Sequence, residues 1–188
     1  VATDAGRDDV AIAAQRLSTS VVPANHPVMK LVEILEPGRV IHRLQATTRD
    51  DVVRELVHRG FVQRENNTEL GIADEDRVVR VLLERERMQS TGIKDGLAIP
   101  HGKIERLDGV LACLGISEGG VDFGAPDDKK SQIFIALLAP ENGAGLHLKA
   151  LARTSRIFSD ATVAPRLMAA KSADELFSIL AAEDARYG

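Results

Sequence analysis

Two stretches, GVLACLGI at 109–116 and IFIALLA at 133–139, are apolar at nearly every position. A strand that shows one face to water alternates apolar and polar residues; these runs do not. They read as strands covered on both faces, and a sheet so placed needs helical layers above and below it. The flanking text supplies helical patterns. Thr48 precedes DDVVRELVHRG, where Val52, Val53, Leu56 and Val57 form one stripe and Gly60 stands where a helix would stop. A second helix is expected over about 76–89, with Val78, Val81, Leu82 and Met88 on its inner face and Gly92 ending it. A third is expected over about 145–158, with Leu148, Leu151, Ala152 and Ser155 turned inward. Pro165 fits only the first turn of the next helix. Ser172 and Glu175 have capping-box spacing before LFSILAA. VIHRL at 40–44 and LAIP at 97–100 are short extended candidates, and EGGVDFGAPDDKK carries turn chemistry. Helices, then strands, then helices argue for an α/β layered domain.

Residues 1–28 differ from the rest. Ser18, Thr19 and Ser20 lead into PANHP, two prolines within five residues, which reads as an N-terminal arm or linker. The domain itself is expected over 29–188.

Composition removes several function classes. The formal net charge of −4 gives no basic field for nucleic acid or anionic lipid. Aromatics are 3% with no Trp, which leaves few stacking platforms for single strands. Cys113 is the lone cysteine, so an internal disulfide and a Cys-pair zinc site are excluded. No apolar run approaches the ~18 residues of a membrane span, and the opening VATDAGRDD lacks the pattern of a secretory signal. A cytoplasmic protein without membrane insertion, nucleic-acid partner or cofactor is the expectation.

The segment TGIKDGLAIPHGK at 91–103 holds a histidine between a proline and a glycine. Pro100 fixes its own φ and pushes Ile99 into an extended conformation, so His101 leaves a strand end in a defined direction. Gly102 bears no side chain, so a partner can approach the backbone there. An imidazole with an ordinary pKa near ~6.5 is mostly neutral at cytoplasmic pH and is a nucleophile able to take a phosphoryl group. Taken alone, His101 reads more readily as an inert loop histidine, since fold and local spacing seldom establish function. A zinc site of His101 and His147 with Asp122 or Glu141 lacks H-x-x-x-H or H-E-x-x-H spacing. Gly92, Gly96 and Gly102 fit neither nucleotide-binding glycine pattern. No metal site is expected. His42 and His58 carry no motif, and His26 lies in the arm. Cys113, inside an apolar run, reads as a small buried hydrophobe.

LLERERMQSTGIKDGLAIPHGK at 82–103 resembles the active-site segment of phosphotransferase-system enzyme IIA domains of the fructose–mannitol type, including their nitrogen-regulatory branch. LLAPENGAGLHLKALARTSRIFSD at 137–160 resembles the same family's later segment, and LMAAKSADELFSIL matches its ending in kind. The resemblance covers roughly residues 29–183 and rests on two separated motifs in the right order. It implies a three-layer α/β/α fold with a small mixed sheet and the active histidine at a strand end. His101 matches the phosphorylated histidine, His147 the second histidine that supports it, and Arg85 the arginine of the E-R-E segment. Without the resemblance, Arg85 in ERER reads as a solvated helix face with i, i+4 pairing. Thr91 and Gly92 are candidates for contacts to phosphoryl oxygens.

The implied function is a phosphocarrier that receives its phosphoryl from the histidine phosphocarrier protein, or its nitrogen-branch counterpart. That protein is itself supplied from phosphoenolpyruvate through enzyme I. The AIPHGK text leans towards the nitrogen-regulatory branch, whose phosphorylation state governs a regulatory target protein. Only EDARYG follows the last expected helix, so a separate IIA protein is expected, which fits regulation. The alternative is a IIA component of a sugar uptake system that passes the phosphoryl to a IIB domain. A non-catalytic IIA-like binding module is more remote.

Overall fold

The structure, a computed structural model, describes residues 29–62 and 74–187. The expected arm over residues 1–28 lies outside them. Among the described residues the centre of the fold is a mixed five-stranded sheet: β1 (Val40–Ile41), β2 (Leu97–Ala98), β3 (His101–Ile104), β4 (Leu111–Val121) and β5 (Ser131–Pro140). The two long apolar runs form the central pair. β4 and β5 are antiparallel, with Leu111 opposite Leu138 and Val121 opposite Ser131. β1 adds parallel to β4, with Val40 opposite Leu114. β2 and β3 both add parallel to β5, with Leu97 opposite Ile133 and His101 opposite Leu137.

β2 and β3 are thus one edge strand interrupted at Ile99–Pro100. Proline has no N–H to donate, so it is tolerated at a sheet edge or a strand break. Its carbonyl still accepts from the Leu137 N–H at 2.9 Å, and pairing resumes at His101.

Alternation along the central strands divides the core in two. Ala112, Leu114 and Ile116 of β4 and Ile133, Ile135 and Leu137 of β5 pack towards α1 (Leu31–Leu35), α4 (Ala144–Ile157), α5 (Val163–Ala169) and α6 (Ala173–Ala185). Leu111 and Cys113 of β4 and Phe134, Ala136 and Leu138 of β5 pack towards α2 (Arg49–Leu56) and α3 (Glu75–Met88). This is the three-layer α/β/α arrangement with a small mixed sheet. Among the described residues no helix is long and apolar enough to cross a membrane.

Several local expectations change. α2 does not stop at Gly60; it runs into a π-helical turn, Val57–Val62, with Gly60 buried inside it. A Cβ at Gly60 would lie 2.0 Å from Cys113 Sγ, so the glycine lets this turn lie against β4. α3 ends at Met88, before Gly92, which instead pairs in a bridge with Ala98. Met88 is 83% exposed, and the inner face of α3 is Val78, Val79, Leu82, Leu83 and Glu86. On α4 the buried residues are Leu146, Ala150, Arg153, Thr154 and Ile157, the face opposite the expected one, and Leu148 is 67% exposed.

The physical reason on α4 is a polar pair the hydrophobic pattern does not show. Arg153 enters the core because Asp184 on α6 meets it: Arg153 Nε donates to Asp184 Oδ1 at 2.5 Å, and its other nitrogens donate to the Asp184 and Tyr187 carbonyls. α6 begins as expected, with Ser172 Oγ accepting from the Glu175 N–H at 3.1 Å. The Glu175 carboxylate reaches one residue further back, accepting from Lys171 N–H at 2.7 Å.

Candidate functional site

His101 is the first residue of β3, and the strand break before it sets its ring. Its Nδ1 lies 2.7 Å from the Ile99 carbonyl oxygen. A carbonyl can only accept, so Nδ1 bears the proton. The lone pair is therefore on Nε2, which accepts from Arg85 Nε at 3.1 Å. One tautomer satisfies both bonds, and it leaves Nε2 as the nucleophilic atom.

Arg85 stands in the last turn of α3. Its Nη1 donates to the Gln89 carbonyl at 2.9 Å, which anchors the guanidinium at the helix C-terminus, where cations are favoured. α3 and β3 lie close enough for this contact because Gly102 follows His101. A Cβ at Gly102 would sit 2.6 Å from Val81 Cγ1 of α3. The partner that approaches this glycine is therefore the domain's own helix.

His147 comes from the first turn of α4 on the other side of the sheet. Its ring centroid is 5.1 Å from that of His101, with the planes tilted by 48°. His147 Nε2 is buried and has no hydrogen-bond partner among the described residues. Burial pushes the His101 pKa below the ordinary histidine value, with the Arg85 charge adding to it, against the pull of the Ile99 carbonyl and Glu86. Burial likewise lowers His147, helped by His101 and by the charges of Lys103 and Arg85. Both rings are neutral at neutral pH.

The structure thus brings His101, His147 and Arg85 together from three elements. It gives Thr91 and Gly92 a different place. The Thr91 N–H donates to Glu86 at 3.0 Å, and its hydroxyl also donates to that carboxylate. The Gly92 N–H donates to Ser90 Oγ at 3.0 Å. With the Thr91 carbonyl accepting from the Ile99 N–H at 3.0 Å, this segment braces the strand that leads into His101. Among the described residues no group of three or more His, Cys, Asp or Glu is arranged to hold a metal ion.

Glu86 is the residue that the sequence reading passed over. It is 3% exposed, and its carboxylate holds Thr91 in place. The signal was present: Glu86 lies four and three residues after Leu82 and Leu83, so it shares their inward face. A carboxylate there needs buried donors.

Comparison with known proteins extends this picture beyond the site. The family profile described as phosphoenolpyruvate-dependent sugar phosphotransferase system, EIIA 2, matches residues 33–183. A nitrogen regulatory protein of Bradyrhizobium diazoefficiens is 31% identical over 153 residues, 81% of this chain and 95% of that protein. The fructose-specific EIIABC component of the phosphotransferase system of Bacillus subtilis is 27% identical over 156 residues, 83% of this chain and 24% of that longer protein. The crystal structure of the nitrogen regulatory protein IIA-Ntr from Neisseria meningitidis aligns with a TM-score of 0.69 at 29% identity, covering 79% of this chain and 97% of that one.

Proposed function

The chain belongs to the EIIA 2 family of the phosphoenolpyruvate-dependent sugar phosphotransferase system, and from that membership we propose that it carries a phosphoryl group on His101 Nε2. The donor is a phosphohistidine on a histidine phosphocarrier protein, or its nitrogen-branch counterpart, in the cytoplasm. The observation that carries the reading is the pair of bonds at His101: Ile99 holds the Nδ1 proton, and Nε2 faces the Arg85 guanidinium.

In the transfer the Nε2 lone pair forms a bond to phosphorus while the donor's N–P bond breaks, and the donor ring leaves with that electron pair. His101 keeps its Nδ1 proton, so its ring gains positive charge, which the Ile99 carbonyl stabilises. Phosphoryl transfer asks mainly for positioning and for donors around the equatorial oxygens. Arg85 releases Nε2 as the phosphoryl arrives and turns its planar fork to the oxygens. His147 Nε2, buried beside the ring without a partner, gains one in a phosphoryl oxygen when it bears a proton.

The role that fits best is nitrogen-regulatory, supported by the likeness to the Bradyrhizobium protein and to the Neisseria structure. The phosphoryl adds close to two negative charges, enough to change which regulatory target protein the surface fits. The likeness to the Bacillus fructose-specific component supports a second reading, in which the acceptor is a IIB domain.

Incubation with radiolabelled phosphoenolpyruvate, enzyme I and the phosphocarrier should give an acid-labile, base-stable label, with phosphorus on Nε2 by phosphorus NMR. His101→Ala should abolish it, and Arg85→Lys should slow it, because lysine lacks the planar fork. Labelling that persists in a folded His101→Ala variant would overturn the proposal. Rapid transfer from labelled His101 to a IIB protein decides for the second reading.

A further inference from the structure

A groove of about 840 Å³ opens at the other end of the edge strand, lined by Leu97, Ile133, Phe158, Ala164 and Met168 along its apolar side. Leu97 lies opposite Ile133 on β5, four residues before the level of Leu137 and His101. At about 3.3 Å per residue that is roughly 13 Å from the histidine site, so the groove is separate from it. Its volume is that of a small-molecule site.

The rim is unevenly charged. Its two acids are already engaged: Asp95 pairs with Lys129 at 3.4 Å, and Asp160 pairs with Arg186 at 3.3 Å while accepting from Thr162. Lys94 and Lys130, also on the rim, have no ion-pair partner among the described residues. Lys130 is exposed, and the base of its side chain packs against the backbone beside it. Gly120, at a φ of +65°, approaches so closely that a Cβ there would meet Lys130 Cβ at 2.9 Å. An apolar floor under two unneutralised cations selects a ligand with an apolar body and one anionic head. A neutral apolar molecule gains nothing from the two exposed lysines, which stay hydrated, and an organic cation is repelled by them.

We propose that this groove is a binding site for a small amphipathic carboxylate. Its occupant lies with its hydrocarbon or aromatic part on Phe158 and Met168 and its carboxylate between Lys94 and Lys130. The assignment is independent of phosphoryl transfer at His101, which neither lysine touches.

The test uses the full chain, isotope-labelled, with octanoate as the probe, and with octanol and octylammonium as neutral and cationic partners of the same length. Octanoate should shift the amide signals of Gly96, Gln132, Ser159 and Ala161 saturably, octanol more weakly and octylammonium not at all. Lys94→Ala with Lys130→Ala should weaken octanoate about tenfold, the loss of a charge-assisted hydrogen bond. Ala164→Trp should block it by filling the groove. Equal binding of octylammonium, or octanoate shifts that survive both variants, would overturn the assignment. Labelling of His101 in the same variants shows that they are folded and tests the other reading separately.

Discussion

The ring of His101 is bonded at both nitrogens, and each bond comes from a different constraint: a carbonyl fixed by the strand break, and a guanidinium fixed at a helix end. Both site histidines have pKa values lowered chiefly by burial, which gives a sign to the pH dependence. As pH falls, the unfolded chain takes up protons first. The stability due to neutral His101 and His147 is full above about pH 6.5 and is lost as pH drops through their lower folded values. Urea midpoints should be level between about pH 8 and 7 and fall below about 6.5, and a His101→Gln, His147→Gln variant should fall less steeply there. An identical fall in that variant would show that these rings are not its source. Asp127, Asp160 and Glu183, held low by hydrogen bonds from Asp95, Thr162 and Arg186, respectively, add their losses at more acid pH. At this scale the sequence is informative where motifs carry it: His101, Arg85 and His147 stand in the segments 82–103 and 137–160 that resemble the family's. Glu86 lies in the first of these segments, but its role depends on burial, and burial is a property of the packed helix.

Elements meet here through missing side chains. Gly102 lets β3 lie on Val81 of α3, and that contact sets how far Arg85 must reach. Gly102→Ala should lose about 1–3 kcal/mol to overpacking and slow labelling of His101, because the helix carrying Arg85 is pushed away. Adding Val81→Ala, which removes the methyl group in the way, should restore much of both. Denaturant midpoints and label rates measure the two effects; a Gly102→Ala variant at parent rate would show that Arg85 is placed by other contacts. The periodicity of α2 and the apolar runs of β4 and β5 made those elements legible. The face of α4 was not, because its inward side carries Arg153 and Thr154, and its outward side shows Leu148. A pattern of hydrophobic spacing has no means of recording that a buried arginine has a buried acid waiting for it.

Across the whole molecule, sheet order was beyond reach, since β1 pairs with β4 over more than seventy positions and nothing local encodes that choice. The same holds for Asp184, which is fully buried on α6. It accepts from Arg153 of α4 and, through Oδ2, from the Val32 N–H of α1 at 3.0 Å. Asp184→Asn should cost about 3–5 kcal/mol by leaving a buried guanidinium uncompensated. Arg153→Met combined with Asp184→Leu should cost less than that single change. Denaturation curves of the three proteins compare them, and an additive double loss would argue against a coupled pair. Val32 and Asp184 are 152 positions apart. A ribosome adding about 5–20 residues per second therefore delivers the acceptor roughly 8–30 s after the donor. Throughout that interval the nascent chain holds α1 without the acid that anchors it, so this layer closes only when synthesis of α6 is complete.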